Sequence, residues 1–169
     1  MMTLMEEHKT IELSLLKKLF REMLAIIKEC HERQIIHRDI KPQNIILSER
    51  GYNPKLIDFG LALSTNNQME AYNYCKCGTM SYIAPEVLMS NSIFYKSYGY
   101  KCDIFSFGVI VHMLLMGYNP LANKTETERK NNCHIDIKEE EIFDRYGEEC
   151  LFFVKKLMAS NPKHRYTAE

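Results

Sequence analysis

The 169-residue chain has no surplus of either charge, since Lys plus Arg equals Asp plus Glu at 22 each. Such a balance gives no electrostatic reason to expect nucleic acid or an anionic membrane surface as a partner. Nor is any apolar run long enough to span a membrane. The strongest, IFSFGVIVHMLLMG from Ile104 to Gly117, is too short and is interrupted by Ser106 and His112. The opening MMTLMEEHKT has no signal-peptide core. Cysteines stand at 30, 75, 77, 102, 133 and 150, with no pair at zinc-finger spacing. They read as free thiols of an intracellular, cytoplasmic protein, and Cys75-x-Cys77 as two loop thiols rather than a metal or redox pair. No two of the seven glycines stand two apart, which excludes a Gly-x-Gly-x-x-Gly loop for cradling phosphates. Repeats, low-complexity tracts and interdomain linkers are also missing.

What is present describes a folded domain, or a large piece of one. Apolar residues make up 46% and charged residues 26% of the chain, enough for a real core. The ten methionines read as core filler. From Ile11 to His31, Leu16, Leu19, Phe20, Met23, Ile27 and Cys30 recur at helical spacing. NIIL, the polar turn SERGYN and KLID predict one β-hairpin over residues 45–57. Ser64 to Lys76 has little periodicity and reads as a mobile loop. The run at 103–116 reads as a helix buried on all sides. Asn123 to Asn132 is polar and expected to be exposed. KEEEIFD at 138–144 reads as a solvated helix face, and EECLFFVKKLMAS as an amphipathic helix stopped by Asn161-Pro162.

One stretch asks for more than solubility. HRDIKPQN at 37–44 sets two cations, a carboxylate and a carboxamide around a proline, tightly framed by apolar pairs. Fourteen residues separate Asn44 from Asp58, which is what a hairpin needs to bring its ends together. Asn44 and Asp58 would then present hard oxygen donors to a Mg²⁺ ion. Gly60, two residues past Asp58, can adopt positive φ. Asp39 could accept a proton from an attacking hydroxyl, and Lys41 could neutralise charge on a transferring phosphoryl group. The pattern points to phosphoryl transfer.

At these residues the sequence resembles the eukaryotic protein kinases. HRDIKPQN is similar to their catalytic loop, DFG at 58–60 to their magnesium loop, and GTMSYIAPE at 78–86 to the segment closing the activation loop. DIFSFG at 103–108 resembles the start of their central helix, and NPKHR at 161–165 their late Asn/Asp-Pro-x-x-Arg element. The resemblance implies a kinase-like fold, mostly α with short β-hairpins, corresponding to the large C-terminal lobe. The N-terminal β-lobe, with its glycine loop and strand lysine, and the last helix are not found in the sequence, so residues 1–169 are expected to be a partial kinase domain.

The resemblance also implies roles. Asp39 would be the base, Lys41 the mark of serine/threonine specificity and a phosphate contact, and Asn44 and Asp58 the holders of Mg²⁺ and ATP. Thr79 would contact the catalytic loop and favour Ser/Thr acceptors, and Arg38 would receive an activation-loop phosphate. His37 would bond backbone, Asp103 would cap its helix and hold the catalytic loop, and Glu86 and Arg165 would form a buried ion pair. Several residues depart from the family pattern. Gln43 replaces the Glu common where substrates are basic, Cys75 stands where many relatives carry a phosphorylated Thr, and Met80-Ser81 replaces a Pro-containing pair. Tyr72, Tyr74, Ser64 and Thr65 remain near Arg38 as other candidates. Phe105 stands for the commoner Trp. CGT and YKCDIFSFGV lean toward the calcium/calmodulin-dependent or calcium-dependent branch. ATP, Mg²⁺ and proteins with Ser/Thr acceptors are thus the implied partners. The alternative is a non-catalytic, kinase-like binding or scaffold module.

Overall fold

The computed structural model describes residues 1, 12–48, 53–65, 75–90, 98–131 and 135–169. Helix α1, Leu13–Glu32, buries Leu16, Leu19, Phe20, Met23 and Ile27 along one stripe, the 3.6-residue period expected of a half-buried helix. It is followed by strand β1, Ile35–Ile36, and by a 3₁₀ turn at Pro42–Asn44. Proline suits the first position of that turn because its φ is already set and its missing N–H is not needed there.

Strands β2, Ile45–Leu47, and β3, Pro54–Leu56, pair antiparallel with Ile45 opposite Leu56, the hairpin read from the sequence. A second pairing was not foreseen. Strand β4, Leu63–Ser64, lies antiparallel to β1 with Leu63 opposite Ile36. Ser64 therefore belongs to a strand rather than to a loop, and Thr65 N–H donates to Gln34 O at 2.7 Å. Residues 66–74, the middle of the stretch read as mobile, lie outside the described residues. So do Tyr72 and Tyr74.

Past the short helix α2, Pro85–Leu88, comes the core helix α3, Lys101–Met116. It begins two residues earlier than its sequence pattern suggested. Ile104, Phe105, Phe107, Val109, Ile110 and Val111 are wholly inaccessible, as an all-round apolar helix must be. Gly117 ends it in the left-handed conformation (φ 79°), which a side chain would oppose. Helices α4, Glu126–Asn131, α5, Glu139–Tyr146, and α6, Glu148–Leu157, complete the helical body. Gly108 lets α6 close on α3, since a Cβ there would stand 2.8 Å from Leu157 Cβ. Helix α5 buries Ile142, leaves Glu139 and Glu140 in solvent and half-buries Glu141. Among the described residues, no helix is long and apolar enough to cross a membrane.

Candidate active site

The HRDIKPQN loop is held from below by a buried carboxylate. The backbone N–H groups of His37 and Arg38 donate to Asp103 Oδ2 and Oδ1, both at 2.9 Å. His31 Nε2 lies 3.0 Å from the same Oδ2. Asp103 does not cap its helix, contrary to the expectation. It sits inside the first turn of α3, whose flanking residue is Tyr100 and which has no side-chain cap. Its carboxylate is spent on loop amides because Arg38 adopts left-handed backbone (φ 68°), a strained state that persists only where neighbours over-determine it.

His37, fully buried, links this loop to the end of the hairpin. Its Nδ1 accepts from Asp39 N–H at 3.3 Å, so Nε2 carries the proton and donates to Ile57 O at 3.1 Å. Both ring nitrogens are committed to backbone. The ring also meets Phe59 edge-on, with centroids 4.8 Å apart.

Asp39, buried apart from a small opening, is the hub of the site. Oδ1 accepts from Thr79 N–H at 2.9 Å and from Thr79 Oγ1 at 2.7 Å. Oδ2 lies 2.7 Å from Lys41 Nζ and accepts from Asn44 Nδ2 at 3.1 Å. Lys41 Nζ also donates to Thr79 Oγ1 at 2.8 Å, and Asn44 Nδ2 to Asp39 O at 2.9 Å. Burial pushes the Asp39 carboxyl up. The hydrogen bonds and charge of Lys41, with those of Thr79, outweigh burial and hold it below the usual aspartate value. Asp39 is therefore an ionised acceptor at neutral pH.

The hairpin brings Asp58 to the edge of this cluster. Ile57 N–H donates to Asn44 O at 2.9 Å, and Asp58 is the next residue. The positive φ expected of Gly60 falls on Asp58 instead (φ 61°). Aspartate tolerates it because Oδ1 accepts the Gly60 N–H at 3.3 Å, closing a local turn. Asp58 is exposed, and its Oδ2 has no bond from a described residue; neither has Asn44 Oδ1. Two open hard-oxygen donors on neighbouring strand ends fit a Mg²⁺ ion, whose other ligands are commonly water and phosphate. No group of three or more His, Cys, Asp or Glu placed to hold a metal ion is present among the described residues. Arg38 Nε donates to Leu61 O at 2.5 Å, while Thr65 Oγ1 meets Tyr100 OH.

Beyond Thr79 the chain makes a 3₁₀ turn at Met80–Tyr82 and enters α2. Here one residue departs from the reading of the polar run 123–132 as exposed, while the other described side chains of the run are exposed or half-buried. Arg129 on α4 is 5% accessible, and its guanidinium donates to Met80 O and Ile83 O. Burial lowers its pKa to about 10, which leaves it a cation at neutral pH. Asn119 Nδ2 donates to Ser81 O at 3.2 Å and Ser106 Oγ to Tyr82 O at 2.8 Å. Sequence reasoning found none of these three residues, because an arginine in a polar run reads the same whether buried or exposed.

Next in the chain is Glu86, in a bidentate pair with Arg165. Nη1 lies 2.5 Å from Oε1 and Nη2 2.9 Å from Oε2, both side chains almost wholly buried. Arg165 also donates to Ala159 O and Lys101 O and lies over the Phe105 ring at 5.0 Å. Cys30, Cys75, Cys77, Cys102 and Cys150 are free thiols; Cys133 lies outside the described residues.

A buried aspartate shared by lysine, threonine and asparagine, beside an open Asn–Asp oxygen pair, is a set of groups that phosphoryl transfer can use. The chain belongs to the protein kinase domain family, whose model matches residues 1–169. It is 35% identical over 156 residues to CBL-interacting serine/threonine-protein kinase 15 of Arabidopsis thaliana, covering 90% of this chain and 35% of that protein. To the DNA damage response protein kinase DUN1 of Saccharomyces cerevisiae it is 33% identical, over 90% of this chain and 33% of that one. The chain thus spans about a third of the length of these curated relatives. A chain of the yeast RNA polymerase II CTD kinase CTDK-1 complex shares the fold, with a TM-score of 0.78 at 22% identity over 98% of this chain and 62% of that chain.

Proposed function

We propose that this chain forms the catalytic loop and acceptor-binding part of a serine/threonine protein kinase, which moves the γ-phosphoryl group of ATP to Ser or Thr hydroxyls of proteins. The observation that carries the reading is the Asp39 carboxylate, ionised, nearly buried and shared between Lys41 and Thr79. Asp39 orients the acceptor hydroxyl and takes its proton as the hydroxyl oxygen gains the phosphoryl group. Lys41 neutralises charge beside it, and Thr79 fixes the side on which the acceptor approaches. Asn44 and Asp58 would hold Mg²⁺, which when bound offsets phosphate charge. Arg38 is the cation for an activation-loop phosphate. His37, Asp103 and the Glu86–Arg165 pair keep the loop and its floor in place. Cys77-Gly78-Thr79 and the YKCDIFSFGV run favour the calcium-linked branch of these kinases. The free thiols support an intracellular, cytoplasmic location.

The test is radiolabel transfer from ATP to a generic acceptor protein, followed by identification of the phosphorylated amino acid. The chain alone is expected to bind Mg·ATP weakly and turn over hardly at all. Joined behind a compatible kinase N-terminal lobe, it is expected to label Ser and Thr but not Tyr, and to lose transfer with Asp39→Asn. A joined chain that folds and binds ATP yet transfers nothing would be a kinase-like binding module, and transfer unchanged by Asp39→Asn would remove the assigned base.

A further inference from the structure

The four consecutive carbonyls of Met80, Ser81, Tyr82 and Ile83 each accept a hydrogen bond from a side chain distant in sequence. Arg129 takes the first and last, Asn119 the second and Ser106 the third. The segment has little bonding of its own: Tyr82 N–H reaches Thr79 O at 2.9 Å and Ile83 N–H reaches Met80 O at 3.4 Å. Its shape is therefore imposed from outside. At its leading end, Gly78 (φ 106°) presses so closely on the catalytic loop that a Cβ would stand 2.6 Å from Arg38 O. Thr79 then seats on Asp39.

We propose that Arg129 is a positioning residue for the protein acceptor, pinning the trailing end of residues 79–83 so that Thr79 stays seated on Asp39 and the acceptor meets a preformed surface. The proposal rests on the kinase reading above. A buried cation is costly unless its bonds are met, and no carboxylate lies within ion-pair distance of Arg129 among the described residues. Glu126 on the same helix is taken by Lys76 and Lys130. What the guanidinium supplies is a rigid planar fork that bridges both ends of the turn, which a lysine ammonium cannot do. Asn119 and Ser106 each hold a single interior carbonyl. Arg129 alone spans the turn, and through it α4 is fastened to the segment.

Two measurements test this. In the 169-residue chain, Arg129→Ala and Arg129→Lys should speed hydrogen exchange at the Tyr82 and Ile83 amides by about tenfold or more, while α3 amides such as Val109 and Ile110 keep their protection. Unchanged exchange at 82–83, or acceleration spread through α3, would overturn the proposal. In the chain joined to an N-terminal lobe, with Asp39-dependent transfer as the sign that the kinase reading holds, Arg129→Lys should raise KM for the acceptor about tenfold and move KM for ATP less than about twofold. Added methylguanidinium should partly restore the acceptor KM of Arg129→Ala, which a general loss of stability would not permit. Equal changes in both KM values, or no rescue, count against it. Should no joined chain transfer phosphate, the kinase reading falls, and the exchange measurement still decides whether Arg129 sets this segment.

Discussion

The proposed acceptor side and the proposed metal side of the site meet at Asn44 and are built in opposite ways. On the acceptor side, Asp39, Lys41 and Thr79 satisfy one another, and the backbone beyond them is held carbonyl by carbonyl. On the metal side, Asp58 keeps an oxygen open, while Ile46, Ile57, Phe59 and Leu61 all face solvent. The difference shows where preorganisation lies. The acceptor side holds its geometry from within the chain, and the metal side keeps open oxygen donors beside exposed apolar side chains.

The largest effect should come from the hub of the acceptor side. Asp39→Asn is expected to lower transfer by about 10²–10⁴-fold in the joined chain, the usual worth of a positioned base, as read by radiolabel. A residual above about a tenth of wild type would detach the carboxylate from the chemistry. Because the folded pKa of Asp39 is depressed, its ionised form stabilises the fold at pH values above the unfolded value of about 4. That contribution is lost as pH falls through the lower folded value. The stability gap between wild type and Asp39→Asn should therefore close on acidification, in denaturant melts taken at pH 7 and below pH 4. A gap that persists would place the stabilisation elsewhere.

Next in size is the floor beneath the acceptor segment. Arg165→Ala leaves Glu86 buried and unpaired and should cost about 3–5 kcal/mol. Replacing both residues by Leu and Met should cost clearly less. Equal losses for single and double variants would mean that the pair does not interact.

Gly78→Ala tests the tight approach of the segment to Arg38. A left-handed non-glycine residue, together with the overlap at Arg38 O, should cost about 2 kcal/mol; a loss below about 0.5 kcal/mol would show that the segment yields easily. The smallest stability change belongs to the open side. Asp58→Asn should stay within about 0.5 kcal/mol while weakening Mg²⁺-dependent ATP binding by the joined chain, measured by calorimetry. If it unfolds the chain, the contrast between the two sides is broken.

Much of this was legible before any coordinates. The buried stripe of α1 fell on residues chosen by period alone, and the β2–β3 hairpin on the apolar runs flanking a polar turn. Asp39, Lys41 and Asn44 lie within six residues, so their proximity follows from chain length. The strands β1 and β4 were missed because two residues carry no alternation to detect. Asp103 was read as both a helix cap and the holder of the catalytic loop; it does the second, and the cap was misassigned because an acid at a helix start usually is one. Its observed partners lie 65 and 66 residues away.

The sequence by itself determined helices α1, α3, α5 and α6, the first hairpin and the set of polar groups at 37–44, since these depend on neighbours within a few bonds or one helical turn. Only the tertiary structure decided how the acceptor segment is held. Arg129 reaches Met80 across 49 residues, Asn119 reaches Ser81 across 38 and Ser106 reaches Tyr82 across 24. A side chain in a polar run has no local preference for burial. What buries Arg129 is the docking of α4 on a turn whose carbonyls are little used by its own backbone, and a buried carbonyl accepts whichever donor packing brings within reach.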